Sequence, residues 1–345
     1  MKKRVQRGEN KARLLRLVDA FPRITVTVLG DLVADEFVYG EIARVSREAP
    51  VLILKHRERT VVPGSGGNAV YNLAALDVQV LPVGVVGEDE PGRLLLDRFR
   101  QKRIPVNRIQ KLKDYGTVTK TRILAGMTHS SRQQVVRIDR EPAEAPPAAA
   151  LQRLVANASA CARTSDALLI SDYGYGAATP EILEAVRAGT SVNSIPITLD
   201  SRYRMLEYEG VTAATPNEPE VEAALSVAIG NDRERLHSAG RTLVKRMKLQ
   251  QLLITRGRDG MAVFTPGRAP LEIPIFGSDQ VADVTGAGDT VIATFTAALA
   301  AGASPEDAAR LANYAAGIVV MKRGTATVSR PELRAAIEQG QEGGA

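Results

Sequence analysis

The chain has 345 residues, 44% of them hydrophobic and 24% charged, enough for one large α/β domain or two ordinary ones and without the low hydrophobicity of a disordered protein. The net charge of +6 is concentrated: residues 1–20 hold seven Lys/Arg against Glu9 and Asp19, so the remaining 325 residues carry only about +1, which excludes a basic nucleic-acid-binding domain. The single cysteine, Cys161, excludes an internal disulfide framework. His56, His129 and His237 lack metal-ligand spacing, and there is neither a signal-peptide core nor the ~18-residue apolar run of a membrane span. The cytoplasm is therefore expected, with no nucleic acid and no membrane as partner.

In chain order, the basic residues 1–22 read as a solvated amphipathic lead-in helix ahead of a main domain over 23–340. ITVTVLG (24–30) reads as a buried first strand, NAVYNLAAL (68–76) as a helix and VQVLPVGVVG (78–87) as a further strand. ALLISD (167–172), SIPITLD (194–200), QLLITRG (251–257) and MAVFT (261–265) continue the strands, with helical PEILEAVRAG and EPEVEAALSVAIG between them. Such alternation predicts a mostly parallel central sheet covered by helices on both faces, an α/β three-layer sandwich. Two stretches, 36–56 and 117–139, read instead as strand pairs without helices, and predict a small β lid built from two insertions. EPAEAPPA (141–148) is the clearest linker.

Three glycine clusters carry the chemistry. No G-x-x-x-x-G-K-[ST] occurs, and ITVTVLG runs into DLVADEF, not a G-x-G-x-x-G turn, so neither a P-loop nor a dinucleotide site is present. PGSGGNAVYNLAAL (63–76) sets a glycine-rich turn before a helix, with Asn68 either a simple cap or part of a site. TRGRDG (255–260) is either a hairpin turn or a phosphate-facing loop. DVTGAGDT (283–290) places two acids and two glycines at the mouth of an apolar helix, where bare amides and the helix dipole favour an anion. A carboxylate there competes with a phosphate unless it has other work, which suits a phosphoryl-transfer centre.

Together and in this order the clusters resemble the ribokinase-like (PfkB) carbohydrate kinase family over about residues 24–335. GSGGNAVYNLA is similar to its N-terminal signature and DVTGAGDT to its C-terminal one. GDLVADEFVYGEIARVSREAPV, TKTRIL, QQVVRID, TPNEPE and GTATVSRPEL (324–333) are similar to one branch, the D-glycero-β-D-manno-heptose-7-phosphate kinases of ADP-heptose synthesis. The resemblance implies transfer of a phosphoryl group from ATP, with Mg²⁺ and K⁺, to a small sugar phosphate.

By that resemblance Asp289 is the general base, and Gly286, Ala287 and Gly288 present amides to the transferred phosphoryl group. Asp283, Thr285 and Gly324 are implied to hold a monovalent cation, with loop bracing as the alternative for Asp283. Asp31 and Asp35 are implied at the acceptor sugar, with turn formation as their alternative; Gly66, Gly67 and Asn68 would let backbone approach the sugar. Arg44, Lys120, Arg122 and Arg137, on the lid-like strands, suit an acceptor phosphate, with a solvated lid face as the alternative for each. Asn217 and Glu220 match an N-x-x-E element acting on Mg²⁺ through water, Glu220 being otherwise a plain first-turn residue. Thr255, Gly257 and Gly260 would line the ATP phosphates and Asn313 would border the adenine.

Three positions depart from the branch. DYGYG puts Tyr175 where a lysine is usual, Asp200-Ser201-Arg202 stands for D-P-K, and Asp77 stands where a glycine is common. A kinase for another sugar or nucleoside, and a non-catalytic binding protein on the same scaffold, therefore remain alternatives. A homodimer pairing through the lid strands is expected.

Overall fold

Runs that are apolar throughout form interior strands of a parallel sheet, because both of their faces are covered. The computed structural model describes residues 2–126, 133–190, 194–277, 283–322 and 324–340. His129, in the second expected lid insertion, lies outside the described residues. The order is α1 (Lys2–Ala20), β1 (Thr25–Gly30), β2 (Leu32–Val45), β3 (Leu52–Ser65), α2 (Gly66–Ala75), β4 (Gln79–Gly87), α3 (Glu90–Gln101) and β5 (Ile109–Leu112). Then come β6 (Thr119–Gly126), β7 (Gln133–Arg140), α4 (Ala148–Ala162), β8 (Ala167–Asp172), α5 (Pro180–Ala188), β9 (Ile197–Ser201), β10 (Ala213–Ala214), α6 (Glu218–Leu225) and α7 (Arg233–Arg246). The chain continues with β11 (Gln251–Thr255), β12 (Met261–Phe264), β13 (Leu271–Ile273), α8 (Ala287–Ala300), α9 (Pro305–Val319) and α10 (Arg330–Gln339).

The central sheet runs β13-β12-β11-β10-β9-β8-β1-β4-β5 and is parallel from β11 to β5. β12 and β13 pair antiparallel at one edge. One face packs against α2, α3, α8, α9 and α10 around Leu73, Phe99, Phe295 and Leu311. The other packs against α4, α5 and α7 around Leu154, Leu183 and Leu243. These are the three expected layers. Helix α8 is buried on nearly every side from Asp289 to Leu299, as its unbroken apolar sequence requires. Thr296 ties it to β9 through Thr198, hydroxyl to hydroxyl at 2.7 Å.

The two expected insertions form one lid sheet of order β3-β2-β6-β7. Strand β2 starts at Leu32, ahead of the expected 36, so Asp35 sits on a strand and not in a turn. Register pairs Asp35 with Lys120, Phe37 with Arg122, and Arg122 with Arg137. Period-two alternation then puts Asp35, Lys120, Arg122 and Arg137 on one face of the lid.

The N-terminal helix is not simply solvated. Leu14 and Val18 are buried in the first core, and Arg13 makes a two-pronged contact to Asp307 at 2.6 and 2.9 Å. Asp19 takes Arg334 of α10, and Lys11 Nζ donates to the Glu338 carbonyl at 2.5 Å. The apolar residues of RLLRLVDA pack inward because α9 and α10 would otherwise leave their own apolar faces in water. Among the described residues no helix is long and apolar enough to cross a membrane.

Candidate active site

Parallel strands deliver their loops to one edge of the sheet, and the carboxyl ends of β1, β8, β9 and β11 carry Asp31, Tyr173, Asp200 and Thr255 there. Helix α8 brings the other half. Gly286 caps it at φ 78°, a left-handed conformation, and a Cβ there would collide with the Asn68 amide. The first intrahelical bond is Thr290 N–H to the Gly286 carbonyl at 3.1 Å, so the amides of Gly288 and Asp289 precede the helical ladder. The Ala287 amide turns back to the Val284 carbonyl at 3.2 Å. A Cβ on Gly288 would meet open space, which is where the anion hole was expected.

Asp289 is 5% exposed and both of its oxygens are held. Asn68 Nδ2 donates to Oδ2 at 2.7 Å and the Tyr173 hydroxyl donates to Oδ1 at 3.0 Å. Asn68 is itself fixed: Asn72 Nδ2 donates to its carbonyl at 2.9 Å and to its Oδ1 at 3.2 Å, and the Thr290 hydroxyl donates to Asn72 Oδ1 at 2.9 Å. Burial pushes the Asp289 carboxyl up to about 7; the two donors and Lys120 oppose the rise and Asp35 adds to it. A carboxylate with that value is divided between its two forms near neutral pH, the poise a general base needs.

Beyond Asp289 lies a cavity of about 740 Å³. Asn217, Glu220, Thr255, Gly257, Gly260 and Asn313 line it together with Gly286, Ala287, Gly288 and Asp289. TRGRDG is a hairpin between β11 and β12, as one of its two readings had it, and it also lines this cavity. Asn217 and Glu220 form a reciprocal capping box on α6, each backbone amide donating to the other's side chain at 2.9 Å. The box uses Glu220 Oε2; burial raises the carboxyl, and its charge reaches Asp200 and Tyr173. Asn313 Nδ2 donates to the Pro274 carbonyl at 2.8 Å. Asp283 accepts from the Thr285 amide at 2.9 Å and the Gly324 amide at 3.0 Å, which braces the loop before α8 against the segment at 324. Burial pushes this carboxyl up, but the Thr285 hydroxyl and the two amides hold it below the ordinary aspartate value.

On the other side of Asp289 the lid supplies charge. Arg122 Nη1 pairs with Asp35 Oδ1 at 2.7 Å while its guanidinium lies 5.4 Å from the Phe37 ring centre. Lys120 is 9% exposed, with Nζ 5.6 Å from the ring centres of both Tyr173 and Tyr175, and burial lowers its pKa. Arg137 pairs with Asp139 at 2.5 Å next to this group. The Tyr175 hydroxyl donates to Glu141 at 3.3 Å. The position expected to hold a lysine thus presents a ring to a lysine from β6.

Several expected contributors do other work. Asp31 is 2% exposed, and its oxygens accept the amides of Tyr173 at 2.8 Å, Tyr175 at 3.0 Å and Ala177 at 2.9 Å. It builds the 173–177 turn, which was the alternative reading, while Asp35 pairs with Arg122 and stands in register with Lys120 in the lid. Burial nevertheless pushes Asp31 up to about 6. Gly66 and Gly67 are buried, packing α2 against the end of β1 and Pro63. Gly64 is the glycine next to Asp35: a Cβ there would strike the Asp35 carboxylate. Arg44 lies exposed at the far end of β2. At strand rise it is roughly 30 Å from Asp35 and is not brought to the site of its own chain. Ser201 hydrogen-bonds Asp172, which Arg204 and Tyr208 also hold, while Arg202 lines the cavity. Sequence reasoning gave no role to Gly64, Asn72, Tyr173, Asp200 or Thr290. The signals for Tyr173 and Asp200 were their position at the carboxyl ends of β8 and β9 and their place in the DYGYG and Asp200-Ser201-Arg202 segments.

Fold and site together define a ribokinase-like α/β enzyme, and comparison with known proteins gives the same class. The profile described as pfkB family carbohydrate kinase matches residues 28–333, and the chain belongs to that family, the ATP-dependent carbohydrate kinases. It is 40% identical over 308 residues to the protein named Bifunctional protein HldE of Pelobacter propionicus, covering 89% of this chain and 62% of that protein. The protein of the same name in Geobacter sulfurreducens is also 40% identical, over 311 residues, with 90% and 62% covered. The chain thus spans a little under two thirds of the length of these relatives. Among solved structures, Escherichia coli phosphofructokinase-2 in complex with substrates and products has a TM-score of 0.74 at 17% identity, covering 91% of this chain and 98% of that one. Arabidopsis thaliana ribokinase complexed with ribose and ATP has a TM-score of 0.71 at 20% identity, covering 92% and 99%. These likenesses establish the fold.

Proposed function

We propose that this carbohydrate kinase phosphorylates a sugar that already carries a phosphate, D-glycero-β-D-manno-heptose 7-phosphate, to the 1,7-bisphosphate. The observation that supports it is the position of Asp289: a buried base between a nucleotide-sized cavity on one side and Asp35, Lys120, Arg122 and Arg137 on the other. The acceptor hydroxyl gives its proton to Asp289 as its oxygen attacks the γ-phosphorus. The bond from that phosphorus to the bridging oxygen breaks and ADP leaves. The amides at the start of α8 stabilise charge on the transferred group, each such donor being worth about 3 kcal/mol. Arg122 and Arg137 receive the distal phosphate, and Asp35 and Gly64 border the sugar. The heptose assignment rests on the branch-like segments of the sequence and on the relatives named HldE.

Glu220 faces the cavity through a carboxylate only partly engaged in its capping box, which fits Mg²⁺ held through water and substrate phosphates. The metal would neutralise charge on the β- and γ-phosphates. Asp283, Thr285 and Gly324 would hold a K⁺ ion, which would add positive charge beside the amides at the start of α8. The enzyme works in the cytoplasm as a homodimer whose lids pair.

A second reading, a kinase for a different sugar or a nucleoside, is favoured by one observation: Tyr175 and its bond to Glu141 occupy the usual lysine position. A coupled ADP-release screen over sugars, nucleosides and sugar phosphates decides between the two. Preferred turnover of the heptose 7-phosphate supports the first; equal or better turnover of an unphosphorylated acceptor replaces it with the second.

A further inference from the structure

One hydroxyl at the mouth of α8 serves two acids. Tyr173 Oη lies 3.0 Å from Oδ1 of Asp289 and 3.4 Å from Oδ2 of Asp200. A phenol has a single proton, so with both acids ionised one of them would face the same hydroxyl without a donor. Asp289 is buried and Asp200 half-buried at the cavity wall, and two anions around one hydroxyl also disfavour each other. Their surroundings separate them. Asp289 receives the Asn68 amide as a second donor, and the charged groups facing it are Asp35 and Lys120 from the lid. Among the described residues no amide donates to the Asp200 side chain: desolvation raises it well above the ordinary value, Asp289 and Glu220 of α6 raise it further, and Tyr173 and Arg202 oppose only in part. Tyr173 is itself kept protonated by burial and by the acids around it.

We infer that Tyr173 is a positioning residue for the base: Asp200, held in its acid form, donates to the Tyr173 oxygen, and Tyr173 donates to Asp289. The chain runs in one direction, Asp200 to Tyr173 to Asp289. It leaves Asp289 as the ionised member, fills its Oδ1 and aims the rest of the carboxylate at the acceptor. Neither Tyr173 nor Asp200 accepts the alcohol proton. The inference rests on Asp289 being the base.

The test is the pH profile of kcat/KM for Tyr173→Phe and Asp200→Asn. Losing the phenol removes a donor to the ionised form, so in Tyr173→Phe the acid limb moves to higher pH by about one unit and rate is regained in alkali. Loss of packing alone would depress the rate at every pH. An asparagine can still donate to Tyr173, so Asp200→Asn keeps the acid limb within about 0.3 unit of the parent. Were Asp200 an anion, removing its charge would move that limb down instead. An unmoved limb in Tyr173→Phe, or a lowered one in Asp200→Asn, overturns the inference. A readout independent of turnover separates this outcome from failure of the kinase reading. In protein labelled with ¹³C at aspartate carboxyls, the resonance lost in Asp289→Asn is titrated in the parent and both variants. Its midpoint must rise in Tyr173→Phe and hold in Asp200→Asn, whatever acceptor the enzyme takes. If Tyr173→Phe does not fold, the Asp200→Asn titration alone decides.

Discussion

Asn68 and Asp289 stand 221 residues apart in sequence and are joined by a hydrogen bond of 2.7 Å, amide to carboxylate. The two glycine-rich turns are therefore one assembly, with Asn72 and Thr290 as its buried struts. Asn68→Ala removes a donor from an ionised group and should lower kcat at least about tenfold at pH 7 while shifting the acid limb upward. Asn68→Asp sets a second carboxylate against the base and should be worse than alanine. Steady-state kinetics of the pair across pH checks the ranking, and an aspartate variant better than alanine would remove the role given to Asn68.

Asp289→Asn should lose ~10²–10⁴ in turnover and still bind ATP by calorimetry. Its stability carries a second, independent signature. A carboxyl whose folded value is about 7 against 3.8 in the unfolded chain binds its proton more tightly when folded. It costs nothing below about pH 4, the cost accumulates between pH 4 and 7, and it is complete above that range. The urea midpoint of Asp289→Asn minus that of the parent should thus grow from pH 4 to 7 and then level. A difference independent of pH would place Asp289 in an ordinary environment.

Arg122→Ala should raise KM for a phosphorylated acceptor by tenfold or more and affect an unphosphorylated analogue far less. It also strands Asp35, whose side chain is 9% exposed, so a loss of roughly 3 kcal/mol in stability should accompany it. Arg122→Ala combined with Asp35→Asn relieves that loss without restoring the phosphate preference. Equal KM changes for the two acceptors in the single variant would take the distal phosphate away from Arg122.

Asp31→Ala leaves the amides of Tyr173, Tyr175 and Ala177 without their acceptor. The expected cost is of the order of 3 kcal/mol, with Asp31→Asn intermediate because one oxygen remains. Hydrogen exchange localises the effect: residues 173–177 should exchange faster while β1 itself is unchanged. Unaltered exchange there would mean that Asp31 does not hold the turn.

The layers of this fold were legible because period and composition report burial directly. ALLISD and ITVTVLG read as two-sided strands and are, and the two helix-free stretches read as a lid and are. What escaped was set by distance in sequence. That Asp31 turns toward 173–177 while Asp35 faces the lid cations depends on where β2 starts and on its register with β6, neither of which a single strand's residues encode. The motif glycines marked two turns that meet at Asn68 and Asp289, but Gly64 is separated from Gly66 and Gly67 only by what each packs against. Leu14 and Val18 looked like one stripe of a basic helix, and only the unpaired faces of α9 and α10 give them a destination. Arg44 shows the converse: its residue type suited a phosphate, but its place at the lid tip does not.

The antiparallel pairing of α1 with α10 places Lys11 against Glu338 and Asp19 against Arg334. The first and last helices of the described fold are consequently fastened to each other, remote in the chain from the turns around Asp289. The backbone can be closed into a ring by a short linker between those helices and cut anew at the proline-rich 142–147 stretch. Such a rewired polypeptide should still assemble its Asn68–Asp289 junction, since no strand order in the central sheet depends on which peptide bond is the first to be made.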